Sequence, residues 1–187
     1  TTTDQLLMMV LSFNNIKDKL SEDQSDKWKH SIKQAADYLT LVMNNAFASI
    51  NYCATTTASL SAAYQIIPDN KYLIKAKELA RNIIAKMDED GFINGEGGKV
   101  NKTKSGVDLG YNLEMSLWGL GYYSSLTNDQ VVRDAVLHSL KSHLYFIYPD
   151  GSMDNSWGIR SNKWTTYGSA TSDGCQVLFT LFAEEDN

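Results

Sequence analysis

The residues best suited to chemistry crowd into one stretch of the chain. Between Asp150 and Asp173 stand Asn155, Trp157, Arg160, Asn162, Lys163, Trp164, Tyr167 and Thr171, with Trp157 and Trp164 inside one eight-residue window. Rings of this kind stack on the apolar face of a sugar, and forked donors beside them hold carboxylates or hydroxyls. The same residues would let a long loop anchor itself over helix ends, and the two readings are compatible. A second stretch, from Asp88 to Asp108, carries Glu96 among Gly95, Gly97 and Gly98, then Lys99, Lys102 and Lys104. Lysines this close together in an acidic chain make either a patch that attracts an anionic ligand or a solvated charge run. The glycines have neither the GxGxxG spacing after a strand nor the lysine of a P-loop, so no nucleotide is expected.

Long helices must carry these stretches. The only prolines are Pro68 and Pro149, which leaves extended segments free to be helical. Trp28, Ile32, Ala35, Leu39 and Val42 fall on one helical face, as do Tyr72, Ala76, Leu79, Ile83 and Met87, and again Leu137, Leu140, Leu144 and Ile147. Each stripe lies opposite a charged face, the pattern of an outer helix. Segments starting near Asn51, Asp108 and Thr171 have few charges, and Thr55 to Ala63 has none. A helix without a charged face is surrounded by others, so these form an inner layer.

An internal repeat supports that layering. The run from Lys86 through Asp90-Gly91 to Asn94 returns sixty residues later as Phe146 through Asp150-Gly151 to Asp154. In both, an outer helix ends at an Asp-Gly turn and a loop leads to the next inner helix. A tetratricopeptide array would keep a period near 34 residues with short loops. Loops at 89–107 and 148–170 are instead long enough to be functional. The expected fold is all-α: repeated helical hairpins forming part of an (α/α) toroid, with the long loops on one rim. Residues 1–187 then make a single α/α-toroid domain or a fragment of one, since three hairpins are too few to close a ring.

Composition narrows the partners. A formal charge of −5 argues against a nucleic-acid binder, and no apolar run reaches the roughly 18 residues of a membrane span. Cys53 and Cys175 stand far apart, without zinc or disulfide spacing. No metal or cofactor is implied, because there is no histidine pair at ligand spacing and no EF-hand loop. The opening Thr1-Thr2-Thr3 shows no signal pattern, as a mature or trimmed chain would, and a secreted or periplasmic location is expected. At the other end an apolar helix stops at Glu184 without a Gly or Pro, which suggests the remainder of a longer parent chain.

The Asp-Gly turn, Gly95-Glu96-Gly97 and Asp108 to Asn112, with the later Asp150 to Gly158 and Lys163-Trp164-Thr165, resemble a known group over about 51–175. That group is the bacterial polysaccharide-degrading proteins with a heparinase- or alginate-lyase-like α/α toroid. The resemblance implies a lyase that works by β-elimination on an anionic, uronic-acid-containing polysaccharide. In such chemistry the proton next to the sugar carboxylate becomes acidic once that charge is neutralised. By the same likeness Asn51 holds the carboxylate and Tyr111 serves as base or acid. A tyrosine of ordinary pKa, about 10, needs positive charge nearby, which Arg160 or Lys163 would supply. Glu96, Asn112, Asn155, Trp157, Lys163, Trp164 and Tyr167 would contact the substrate. The chain departs from the group at Tyr52, where a His commonly follows the neutralising Asn. His30, His138 and His143 all fall in the outer helices, where surface or packing roles are expected.

Two other functions stay open. A glycoside hydrolase would need two carboxylates flanking the bond, for which Glu96, Asp108, Asp154 and Asp173 are candidates. A non-catalytic glycan-binding or interaction module would need only the aromatic loops.

Overall fold

Nearly every residue from Ile50 to Ala63 is buried, and the rest of the architecture is arranged around that one helix. The computed structural model describes residues 1–44, 49–100, 103–154, 157–158 and 177–183. Its helices are α1 (Thr2–Ile16), α2 (Glu22–Val42), α3 (Ile50–Ile66), α4 (Asn70–Ile84), α5 (Leu109–Tyr111), α6 (Trp118–Thr127), α7 (Gln130–His143) and α8 (Val177–Phe182). A π-helical stretch, Asn112–Leu117, joins α5 to α6. The fold is all-α, as the periodicity predicts, with one small element that the periodicity does not foresee. A two-stranded antiparallel hairpin, β1 (Glu96–Val100) and β2 (Thr103–Gly106), occupies the first long loop.

The outer helices α2, α4 and α7 begin where short turns reverse the chain, each on a polar cap. Ser21 Oγ accepts from the Gln24 N–H, Asp69 from that of Lys71 and Asp129 from that of Val132. Such caps satisfy first-turn donors that the helix itself leaves open. The antiparallel pairs α1/α2, α3/α4 and α6/α7 follow, with α1, α3 and α6 side by side as an inner layer. Short turns at 17–21, 67–69 and 128–129 lie at one end of the layer and the long connections at the other.

Inner helices pack closely because their side chains are small. Thr56, Thr57, Ser59 and Ser61 are all fully buried. Their hydroxyls donate to main-chain carbonyls one turn back, at Tyr52, Ala54, Thr55 and Thr57 respectively, so that none of these four hydroxyls is stranded. Two reach further: Ser59 Oγ lies 2.7 Å from the Thr3 carbonyl oxygen on α1, and Thr57 Oγ1 lies 3.1 Å from that of Gly119 on α6. The α3 and α6 backbones come so near that a Cβ on Gly119 would stand 2.3 Å from the Ala54 carbonyl oxygen.

The stripes predicted on α2 and α4 are all buried or half-buried. On α7 the inward face is Val132, Val136, Ser139, Leu140 and His143, and Leu144 is left 53% exposed. The α-helix ends at His143, and the tighter 3-10 turn Leu144–Phe146 swings Leu144 outward. No described helix is long and apolar enough to cross a membrane.

Gly119→Ala should lower stability by about 1–3 kcal/mol, the usual cost of overpacking a tight contact. A thermal melt followed by circular dichroism reads this directly, and an unchanged midpoint would mean that α3 and α6 do not touch backbone to backbone.

Candidate functional site

Both Asp-Gly segments fold into the same closed turn. Gly91 and Gly151 adopt φ of +86° and +85°, the left-handed region that glycine enters at no cost. In the first turn the N–H groups of Asp88, Gly91 and Asn94 donate to the carbonyls of Phe92, Asp88 and Lys86. In the second, those of Tyr148, Gly151 and Asp154 donate to Ser152, Tyr148 and Phe146, the same pattern sixty residues on. Helix α7 grips the first turn from outside: Ser139 Oγ and Ser142 Oγ donate to the carbonyls of Gly91 and Asp90 at 2.6 Å each, and His138 Nε2–H to that of Glu89 at 3.0 Å.

Beyond the first turn the chain runs under the start of α3. Ser49 is the N-cap residue there, yet its side chain makes no cap bond. The Ile50 N–H donates to the Gly95 carbonyl at 3.2 Å, and the Asn51 N–H to Glu96 Oε1 at 3.0 Å. Glu96 is fully buried, so its carboxylate meets the positive end of the α3 dipole in surroundings that strengthen the attraction.

The start of α5 is built in the same way. Buried Asp108 accepts the Tyr111 N–H on Oδ1 at 3.1 Å, while the Leu109 N–H donates to the Trp157 carbonyl at 3.1 Å. Asn112 is also fully buried. Its amide donates to the Ile93 carbonyl at 3.2 Å and accepts from the Ile93 N–H at 3.1 Å, as a strand neighbour would. The Asn51 side chain, 4% exposed, sends Nδ2 to Met115 Sδ at 3.1 Å, whereas its Oδ1 is buried without a hydrogen-bond partner among the described residues. Met115 lies in the π-helical stretch, about one turn beyond half-buried Tyr111. Such stretches recur at functional sites because they re-aim side chains within a helix.

A pocket of about 270 Å³ opens between the two turns, lined by Asp88, Phe92, Val107, Leu109, Phe146, Trp157 and Gly158. The Phe146 ring meets Phe92 and Trp157 edge-on, at 5.9 Å in each case. Trp157 is 61% exposed, with its indole N–H on Asp154 Oδ2 at 3.2 Å. An indole held this way offers a face for stacking.

Asn51, Tyr111, Glu96, Asn112 and Trp157, singled out from the sequence, thus gather at one end of the inner helices. Within that group Glu96 and Asn112 lie beneath the surface, each bonded to main chain. Asn155, Arg160, Lys163, Trp164, Tyr167 and Asp173 lie outside the described residues. Of the carboxylates considered for hydrolysis, Glu96 and Asp108 are fully buried and hold helix starts, and Asp154 holds Trp157. Sequence reasoning missed the structural use of Asp108, although an acidic residue just ahead of a weakly charged helix is a recognisable cap signal. Of the two roles expected for the outer-helix histidines, His143 has the packing one. His143 is fully buried beside Phe92, its Nδ1–H on the Ser139 carbonyl at 2.8 Å, and desolvation pushes its pKa down from 6.5 to about 4.

Comparison with known proteins adds three findings. The family model described as "Ulvan lyase N-terminal domain" matches residues 1–187. A broad-specificity ulvan lyase of Formosa agariphila is 35% identical over 162 residues, which cover 83% of this chain and 25% of the relative. The chain therefore spans about a quarter of the length of that relative. No solved structure matches the chain.

The buried imidazole gives a stability change with a definite sign. His143 titrates lower in the folded chain than in the unfolded one, so as pH falls from 6.5 towards 4 the unfolded state takes up the proton first. Stability should be full above that window and drop by something on the order of 2–3 kcal/mol across it. Asp37 is held well below the usual carboxylate range by Lys33, then Lys71 and Tyr72, so it loses its contribution only at still lower pH. Urea melts at stepped pH should show the slope in wild type and a flatter profile in His143→Gln.

Proposed function

Because the chain belongs to the ulvan lyase N-terminal domain family, we propose that it is the helical part of a polysaccharide lyase acting on an anionic, uronic-acid-containing glycan. The chain contributes an arc of an α/α toroid of the heparinase and alginate-lyase kind, as one domain or a piece of one. The parent protein is longer, bacterial, and works outside the cytoplasm, in the periplasm or secreted. The likeness to the Formosa agariphila enzyme supports this reading.

In the proposed reaction the proton α to the sugar carboxylate passes to a base. Its electron pair forms the new ring double bond, and the bond to the glycosidic oxygen breaks, that oxygen taking up a proton. Asn51 carries the neutralising role. Among the described residues, one end of its amide meets a thioether, a weak acceptor, and the other meets no hydrogen-bond partner. A half-turn of the amide would present two N–H donors to an incoming carboxylate, where they stabilise the charge that develops in the transition state. Tyr111, about one helical turn from the Met115 contact, transfers the proton. Arg160 or Lys163 supplies the positive charge it needs, and Trp157, with Asn155, Trp164 and Tyr167, carries neighbouring sugar rings. The observation that carries the proposal is the buried Asn51 Oδ1, without a hydrogen-bond partner among the described residues, on an amide whose Nδ2 meets Met115, about one turn from Tyr111.

The hydrolase reading is weaker, because two of its candidate carboxylates are committed to capping helices. Incubation with uronate polymers should yield products that absorb in the ultraviolet through their new double bond. Tyr111→Phe should cut turnover by about 10²–10⁴-fold and Asn51→Ala by about 10²–10³-fold. Trp157→Ala should mainly raise KM. Reducing ends without the chromophore would replace elimination by hydrolysis.

A further inference from the structure

Helix α3 could have been capped by its own neighbour, Ser49, but the bond comes from a carboxylate 45 residues away. The main-chain group that this carboxylate holds belongs to Asn51, the residue whose side chain faces the proposed substrate carboxylate. We propose that Glu96 is a positioning residue: it acts through Asn51, fixing the first turn of α3 so that the Asn51 amide points at the substrate.

Everything next to Glu96 is built to keep it in place. Gly95 adopts φ of +123°, which non-glycine residues rarely reach, and its carbonyl takes the Ile50 N–H beside the Glu96 bond. Two residues earlier Ile93 is clamped on both main-chain groups by Asn112, and before that the turn is gripped by α7. After Glu96 the chain enters the β1/β2 hairpin, where Glu96 pairs with Gly106. Fully buried and turned towards the helix, the Glu96 carboxylate is an internal prop and not a substrate contact. Movement of the hairpin would reach the first turn of α3 through Glu96, at Asn51, and through Gly95, at Ile50.

The inference rests on the lyase reading, and the experiment separates the two. In the full-length protein Glu96→Ala should lower kcat by roughly 10- to 100-fold, the scale of a misplaced group, with KM changed by less than about threefold. Glu96→Gln keeps an oxygen for the Asn51 N–H and should stay within about threefold of wild type. In an Asn51→Ala background Glu96→Ala should cost nothing more, because the group it positions is gone. Losses that multiply in the double variant, or Glu96→Gln as damaging as Glu96→Ala, overturn the proposal. If Glu96→Ala does not fold, Glu96→Asp, which draws the carboxylate back by one methylene, takes its place in the cycle. A wild-type protein that yields no unsaturated product sinks the lyase reading alone. Hydrogen exchange at the Asn51 amide then decides: faster exchange confined to the first turn of α3 in the Glu96 variant upholds the prop, and unchanged exchange removes it.

Discussion

Nearly all of α3 from Ile50 to Ala63 is buried, so the polar groups there depend on protein partners. An unpaired buried amide or hydroxyl costs as much as a lost hydrogen bond. The hydroxyls solve this locally by bonding back to their own helix, which leaves a narrow cylinder that α1 and α6 can approach closely. The first turn cannot do so, because its donors point out of the helix end. Gly95 and Glu96 must therefore come to it. The need to satisfy one helix end is what draws the first long connection across the rim.

Once that connection is fixed, the remaining pieces follow in a chain of main-chain bonds. Ile93 in the connection holds Asn112, the residues ahead of it are held by α7, and Leu109 ties the second helix start to Trp157. Three regions distant in sequence are thereby brought into one neighbourhood, where Phe92, Phe146 and Trp157 also pack together. The apolar core runs between the helix layers and reaches the rim at Ile93, Leu109 and Met153. The polar bonds at the rim set which residues face one another.

Much of this was legible in the residues themselves. The Asp-Gly pairs announced their turns, since few other sequences tolerate the backbone angle, and the charge-free run from Thr55 to Ala63 announced a buried helix. The stripes of α2 and α4 were readable because each continues unbroken over several turns. Leu144 was misplaced because the α-helix gives way to a 3-10 turn at that residue, and periodicity carries no signal for that. Glu96 and Asp108 looked like rim carboxylates because a sequence shows charge and not direction; only coordinates reveal that both point at main-chain N–H groups. The β1/β2 hairpin escaped notice because glycine and lysine have little strand preference, and its pairing is set by the anchors on either side.

The paired Asp-Gly turns carry one further consequence. Each is closed by its own main-chain bonds, so the chain leaves both in the same direction whatever comes next. The stretches that follow them, from Gly95 and from Asn155, share neither length nor residue types. The first residues of each stretch, Gly95 with Glu96 and Trp157, are tied to the helix starts beneath them, so exchanges that leave the inner layer undisturbed must begin beyond these contacts. The turn and the helix cap are therefore two fixed posts in quick succession, and any change of length has room only in the chain that lies past the second.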